Sequence, residues 1–312
     1  MTNLNRVKYS NPFARSKNKV SSQKLDIDFN RVSIEFYVIR KCEIMFINKN
    51  IEAEKIKKNL KNKSVKKTPV TGIFRVEINN LSFDMLVINS DDTSISRRFW
   101  DDNYSDFALE KWCDWSKEEG VYIDVGAHTG LYTVAALVSN KKNHLISIEP
   151  FALNYHRIIT NLRLNNFNNK NASLFNFAVS DNDKIVKFDI KTSQYWSYLS
   201  KGGKIGNEGV NTKAIKLDSL KFSNNKINLN GLKIDTEGED LNVIFGAEKM
   251  IENFMPKIII ECRKHNILDI LKYLSKFGYN NIYDQYGNSP GSKKLIEFND
   301  GEVSKDLFFE KN

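Results

Sequence analysis

An α/β fold on a mostly parallel sheet is the architecture this 312-residue sequence predicts, and three observations predict it. The first is Val121-Tyr-Ile-Asp-Val-Gly-Ala-His-Thr-Gly130, a β-branched apolar strand that breaks into glycines and then into the helical run Leu131–Ser139. The second is a series of further apolar strands, Leu145–Pro150, Gly231–Asp235 and Pro256–Cys262, each holding an acid at its C-terminal end. Apolar runs of that kind are strands buried on both faces by crossover helices. The third is composition. Hydrophobic content of 41% and charged content of 27% are ordinary for a soluble globular protein, and the length suffices for a sizeable core.

Residues 1–25 are polar and basic and read as a loosely held arm. Val32–Ile39 and Cys42–Ile47 look like strands and Ile51–Leu60 like a helix, followed by the cluster Lys61, Lys63, Lys66 and Lys67. Residues 1–70 are therefore expected to form a basic N-terminal α+β extension, partly disordered, ahead of a main domain over 71–312. They hold 17 Lys/Arg against 6 Asp/Glu, whereas the remainder holds 30 against 32. The net charge of +9 thus lies wholly outside the glycine-motif domain. An enzyme that modifies nucleic acid usually spreads basic side chains around its catalytic mouth, so the distribution weighs against a nucleic-acid substrate. No apolar run approaches the ~18 residues that cross a membrane. The three scattered cysteines, with no C-x-x-C pair, read as reduced thiols, and a cytoplasmic location is the default.

Thr71–Asn89 reads as a hairpin about Asn79-Asn80, and Asp101–Glu119 as a helix with an aromatic core face. After it, Asp124-x-Gly126-x-x-x-Gly130 departs from the dinucleotide pattern G-x-G-x-x-G and resembles the first motif of S-adenosylmethionine (SAM) methyltransferases. Free N–H groups at the helix start would face a ligand there, with no Cβ to hold it off. Glu149 ends the second strand, where an acid accepts hydrogen bonds from both cofactor ribose hydroxyls, or is simply an edge charge. Pro150 and Phe151 lead into a helix over Asn154–Asn165. A third strand, Leu174–Val179, offers Ala178 and Val179 as an apolar wall for adenine. After a short strand at Ile185–Ile190, the Gly-rich stretch Lys191–Val210 with Tyr195, Trp196 and Tyr198 reads either as a substrate lid or as plain disorder.

The fourth strand leads into Asp235, Glu237 and Glu239, then a helix through Ile244–Ile251. Like charges sharing a site push at least one pKa upward, which suits a general base. Glu237 and Glu239 read equally as first-turn helix acids. No histidine neighbours the cluster in sequence, so a metal ranks behind a base. Glu261 ends the fifth strand on the ligand-binding edge. An amphipathic helix over Asn266–Phe277 and a last hairpin near Ile282-Tyr283 follow. His128 and His265 are further base or cofactor candidates, and His144 and His156 packing residues.

Taken together, Tyr122–Gly130, Ile148-Glu-Pro150, Leu217-Asp-Ser-Leu220, Leu232-Lys-Ile-Asp-Thr-Glu-Gly-Glu239 and Ile259-Ile-Glu261 resemble the FkbM family of methyltransferases over roughly residues 71–285. The resemblance implies a Rossmann-like (class I) sheet with SAM as methyl donor. The acceptor would be a hydroxyl oxygen of a sugar, glycan or small secondary metabolite. Asp124, Gly126, Ala127, His128, Gly130, Glu149, Pro150, Ala178 and Val179 would then form the SAM site. Asp235 would be the base with His128 its rival and Glu237 beside them, and Glu239, Glu261, Tyr195 and Trp196 would face the acceptor. His128 stands where the family often has asparagine. An RNA or protein methyltransferase using the basic N-terminus, and a non-catalytic SAM-binding module, are the competing readings.

Overall fold

The computed structural model describes residues 36–40, 43–47, 70–88, 90–101, 104–190, 203–221 and 228–311. The expectations for residues 1–35, the helix at 51–60, the lysine cluster, Tyr195, Trp196 and Tyr198 lie outside the described residues. Everything below concerns the compact unit Ile34–Asn312.

Strands β1 (Phe36–Arg40), β2 (Glu43–Ile47), β3 (Val70–Ile78) and β4 (Leu81–Val87) form an antiparallel sheet in the order β2-β1-β3-β4. The β3–β4 turn is the expected Asn79-Asn80, both residues left-handed at φ 46° and 62°, the geometry of a tight hairpin. The helix expected over 101–119 is observed as the shorter α2 (Phe107–Trp115), and a further helix that the sequence did not announce, α1 (Thr93–Trp100), precedes it. Each start is fixed by an aspartate N-cap: Asp92 accepts from the Ile95 N–H and Asp106 from the Leu109 N–H.

The central sheet contains β5 (Val121–Val125), β6 (His144–Ile148), β7 (Ala172–Phe175), β12 (Leu229–Ile234), β13 (Lys257–Arg263), β14 (Asn281–Asp284) and β15 (Ser304–Glu310). Its order is β14-β15-β13-β12-β5-β6-β7. Strands β13, β12, β5, β6 and β7 run parallel, and only β15 opposes its neighbours. Helices α3 (Leu131–Ser139) and α4 (Ala152–Leu164) pack with the hairpin and α2 on the face that carries Tyr122, Ile259 and Phe308. Helices α5 (Asp240–Phe245), α6 (Glu248–Phe254) and α7 (Ile267–Leu274) cover the other face, with Ile123, Val125, Ile234 and Ile260. Burial on both faces is why these strands read as unbroken apolar runs. The mixed α/β, Rossmann-like class is thus the observed one.

Three expectations need correction. The third strand stops at Phe175, because Asn176 Nδ2 donates to the carbonyls of Glu149 and Pro150 and turns the chain away. Ala178–Val179 then form β8 of a second sheet with β9 (Lys184–Ile190), β10 (Gly203–Gly206) and β11 (Val210–Ile215), in the order β10-β9-β11-β8. The helix expected through Ile244–Ile251 breaks at Gly246-Ala247, where Asp218 reaches over to accept from the N–H groups of Lys249 and Met250 and starts α6. The last hairpin is a wide one. Its return strand β15 slots between β14 and β13, and the buried Lys305–Asp284 ion pair (3.3 Å) ties the connection down, with Lys305 Nζ also donating to the carbonyls of Lys294 and Glu297.

Edge strand β4 is closed by side chains of α4. Asn161 and Asn165 accept from the N–H groups of Leu86 and Asp84, and Arg157 donates to the Leu86 carbonyl. That docking fixes where the chain leaves β4, and so places Asp91 and Asp92.

Candidate active site

A cavity of about 500 Å³ opens where β5, β6 and β12 end, with one wall from the second sheet. Its size falls in the small-molecule class, and its placement at the carboxyl ends of parallel strands is where open α/β sheets bind ligands. Glu149 sits in the wall at the end of β6. Its Oε2 accepts from the His128 N–H (2.8 Å) and its Oε1 from the Phe151 N–H (2.8 Å), so the carboxylate is fixed in one orientation. A carboxylate offers about four acceptor positions, so capacity remains on the cavity side. Burial pushes Glu149 up to about 7, against the pull of His128 and the two N–H groups.

The glycine turn is held by hydrogen bonds of its own main chain. The N–H groups of Gly126 and Ala127 donate to the Ile148 carbonyl, that of His128 to Glu149, and that of Gly130 to Ala127. Those of Gly126, Ala127 and His128 tie the β5 turn to β6. Gly126 is required for another reason: it lies at φ +77°, and a Cβ there would sit 1.8 Å from the Asp235 carbonyl oxygen. The glycine lets the ends of β5 and β12 close together. His128 takes a left-handed φ of 50°, a conformation that asparagine adopts more readily.

Asp124 is buried one layer below the cavity and is not in its wall. Its Oδ2 accepts from Thr133 Oγ1 (2.8 Å), while Oδ1 has no hydrogen-bond partner among the described residues. Beside it on β12, in register, stands Lys233, also buried. The Lys233 ammonium lies 3.2 Å from Asp235 Oδ2 and 4.4 Å from the Tyr132 ring centroid. Burial alone would lower its pKa, but Asp235, Asp124 and Asp306 overcome that and raise it. Burial first, then the charge of Asp235, lifts nearby Asp306 to about 7. Lys233 is the only Lys or Arg in the wall among the described residues. Sequence reasoning passed it over, because a lysine inside an apolar strand carries no signal of what stands beside it.

Asp235, Glu237 and Glu239 all line the cavity, each with a partner of its own. Asp235 pairs with Lys233, Glu237 with Arg263 (2.7 Å), and Glu239 accepts from Ser180 Oγ and Asn242 Nδ2. The loop carrying them is held by buried Asp240, which accepts from the N–H groups of Thr236 and Gly238 and from Thr236 Oγ1.

Ala127, Pro150, Ala178 and Val179 are in the wall. Gly130 and Glu261 are not; Glu261 accepts from Ser304 Oγ, and burial with Asp235 beside it holds it above the carboxylate range. Exposed His265 is also outside the cavity, and His144 pairs with Ser173. Tyr195 and Trp196 are outside the described residues. Two wall acids went unnoticed in the sequence, Asp91 and Asp92. Asp92 accepts from Thr129 Oγ1 (2.5 Å), and buried Asp91 pairs with Arg157 (2.9 Å). Burial raises Asp91 to about 6, with Arg157 opposing.

No curated protein sequence matches the chain. Solved structures that resemble it include a methyltransferase FkbM from Methylobacillus flagellatus KT, at 15% identity and TM-score 0.43. That match covers 70% of this chain and 55% of the other, so it spans about half the length of that protein. A precorrin-6y C5,15-methyltransferase from Geobacter metallireducens GS-15 aligns at 12% identity and TM-score 0.38, over 68% and 96% of the two chains. The N-terminal domain of human METTL16 in complex with SAH aligns at 10% and 0.35, over 66% and 68%. The methyltransferase FkbM domain matches residues 124–280, half of the chain, and takes in every strand end that builds the cavity except that of β4. The chain belongs to the FkbM family of methyltransferases.

Proposed function

We propose that the protein transfers a methyl group from SAM to a hydroxyl oxygen of a sugar, glycan or small secondary metabolite. The observation that carries this reading is Glu149, a carboxylate held rigid by two backbone N–H groups at the end of β6, beside an apolar wall. The donor carries no phosphate; apart from the carboxylate of its amino-acid end, it presents hydroxyl and ammonium groups and a sulfonium, which need acceptors and negative charge. The residues present fit that demand. The wall carries Asp91, Asp92, Glu149, Asp235, Glu237 and Glu239 against a single lysine.

SAM supplies an activated methyl group on a positively charged sulfur. Glu149 would accept from the donor's ribose hydroxyls, and Ala178 and Val179 would lie against its base. Asp235, at the end of β12, takes the acceptor hydroxyl's proton as attack proceeds, and Lys233 holds its carboxylate in place. Positioning of the acceptor supplies most of the rate, since the leaving group is already activated. An acid-rich wall suits a neutral polyol and repels a polyanion such as RNA.

Labelled SAM offered with sugars, glycans and RNA tests the reading. Label is expected in a hydroxylated small acceptor, and Asp235→Asn is expected to cut turnover strongly while leaving SAM affinity near normal. Label in RNA alone would sink the acceptor class. Weak SAM binding by Asp235→Asn would make Asp235 a donor residue instead of the base.

A further inference from the structure

We infer that Phe188, seated against the backbone of Gly203, is the aromatic platform for the donor's adenine ring; this rests on the SAM reading above. Strands β9 and β10 pair antiparallel with Ile205 opposite Phe188 and Gly203 opposite Ile190. Phe188, Gly203 and Ile205 all line the cavity, on the same side as Ala178 and Val179. Alternation along β9 puts Val186 and Phe188 inward, both buried, and Ile185 outward at 69% exposure. The second sheet therefore presents an apolar wall to the cavity next to the end of β6, where Glu149 stands.

Gly203 makes that wall possible. A Cβ at this position would lie 2.2 Å from Phe188 Cε1 and 2.5 Å from Cζ, closer than any real contact. Only a glycine lets the ring and the neighbouring strand occupy the same ground. Ala178 and Val179, short side chains on β8 of the same sheet, line the cavity together with the ring. A planar heterocycle with apolar faces and a polar edge is what a wall of this composition accepts. A base extending from a ribose fixed at Glu149 reaches it from the adjoining strand end.

The test is calorimetric titration of the product S-adenosylhomocysteine (SAH), and separately of adenosine, into the full chain and its variants, with thermal melts beside each. Phe188→Ala is expected to weaken SAH and adenosine alike by about 10–100-fold, the worth of one stacked base. Phe188→Tyr, which keeps the ring, should stay within about threefold on the same stacking argument. Gly203→Ala should weaken both ligands several-fold while leaving the ring's chemistry intact, and it decides the matter should Phe188→Ala fail to fold. Native-like melting with SAH affinity within about twofold of wild type, in Phe188→Ala or, if that does not fold, in Gly203→Ala, would overturn the inference alone, since stacking is worth far more. A wild-type chain that binds no SAH would overturn the donor reading and this inference with it.

Discussion

Replacing Lys233 with methionine removes a buried ammonium while keeping the length and apolar stem of the side chain. Repacking of so similar a volume costs under about 1.5 kcal/mol. The lost contact with the Tyr132 ring is worth about 2 kcal/mol or more at so desolvated a site. The larger effect is electrostatic. Asp235 is 43% exposed at its side chain and can turn to water, but Asp124 is buried in register beside the lysine with one oxygen unpartnered. Stranding a buried carboxylate in this way costs about 3–5 kcal/mol, or roughly 5–15 °C in Tm for a chain of this size. Burial already raises the Asp124 pKa, with Lys233 opposing. The penalty therefore belongs to the ionised form, and must shrink as the pH falls and Asp124 takes up a proton. Urea or thermal unfolding of the Lys233→Met, Asp124→Asn and double variants forms the assay. The double variant is expected to recover at least about 2 kcal/mol relative to additivity. Additive losses, or a Lys233→Met protein within about 1 kcal/mol of wild type, would refute the coupling, since either falls below the cost of an uncompensated buried charge.

Other outcomes follow from the same geometry. Glu149 is raised by burial to about 7 from 4.5, so its contribution to stability is fully present below about 4.5 and is lost as pH rises through 7. Ligand hydroxyls favour the ionised form, so SAH affinity should rise about tenfold from pH 6 to pH 8, and Glu149→Gln should flatten that slope. A flat wild-type profile would contradict it. Gly126→Ala, whose Cβ would collide with the Asp235 carbonyl at 1.8 Å, should lower Tm and abolish SAH binding together; retained binding would show that the β5 and β12 ends need not touch. Arg157→Met should destabilise by about 3–5 kcal/mol at pH 8 and less at pH 5, where buried Asp91 is protonated. An equal loss at both pH values would deny the pairing a role.

The parallel core was legible because its strands are buried on both faces and leave unbroken apolar runs, as in Ile258-Ile-Ile260. Glu149 was legible because its place at a strand end is a local fact. The function of Gly126 was not, since the atom it makes room for belongs to Asp235, far along the chain. The split of the helix near Gly246 was hidden for the same reason, its cap coming from Asp218 in a separate turn. Strands β10 and β11 lie in glycine-rich, polar sequence that resembles a loop, and so Phe188 and Gly203 went unpaired. The partners of Glu237 and Glu239 were not legible, because Arg263 and Ser180 come from segments far along the chain.

Titration of SAH into wild-type protein and Glu149→Ala, by calorimetry at pH 8, bears most directly on the assignment. Saturable heat from one site per chain in the wild type, and its loss in a variant that melts like the wild type, is the expected result. No heat with wild type, or equal affinity in the two proteins, would contradict it.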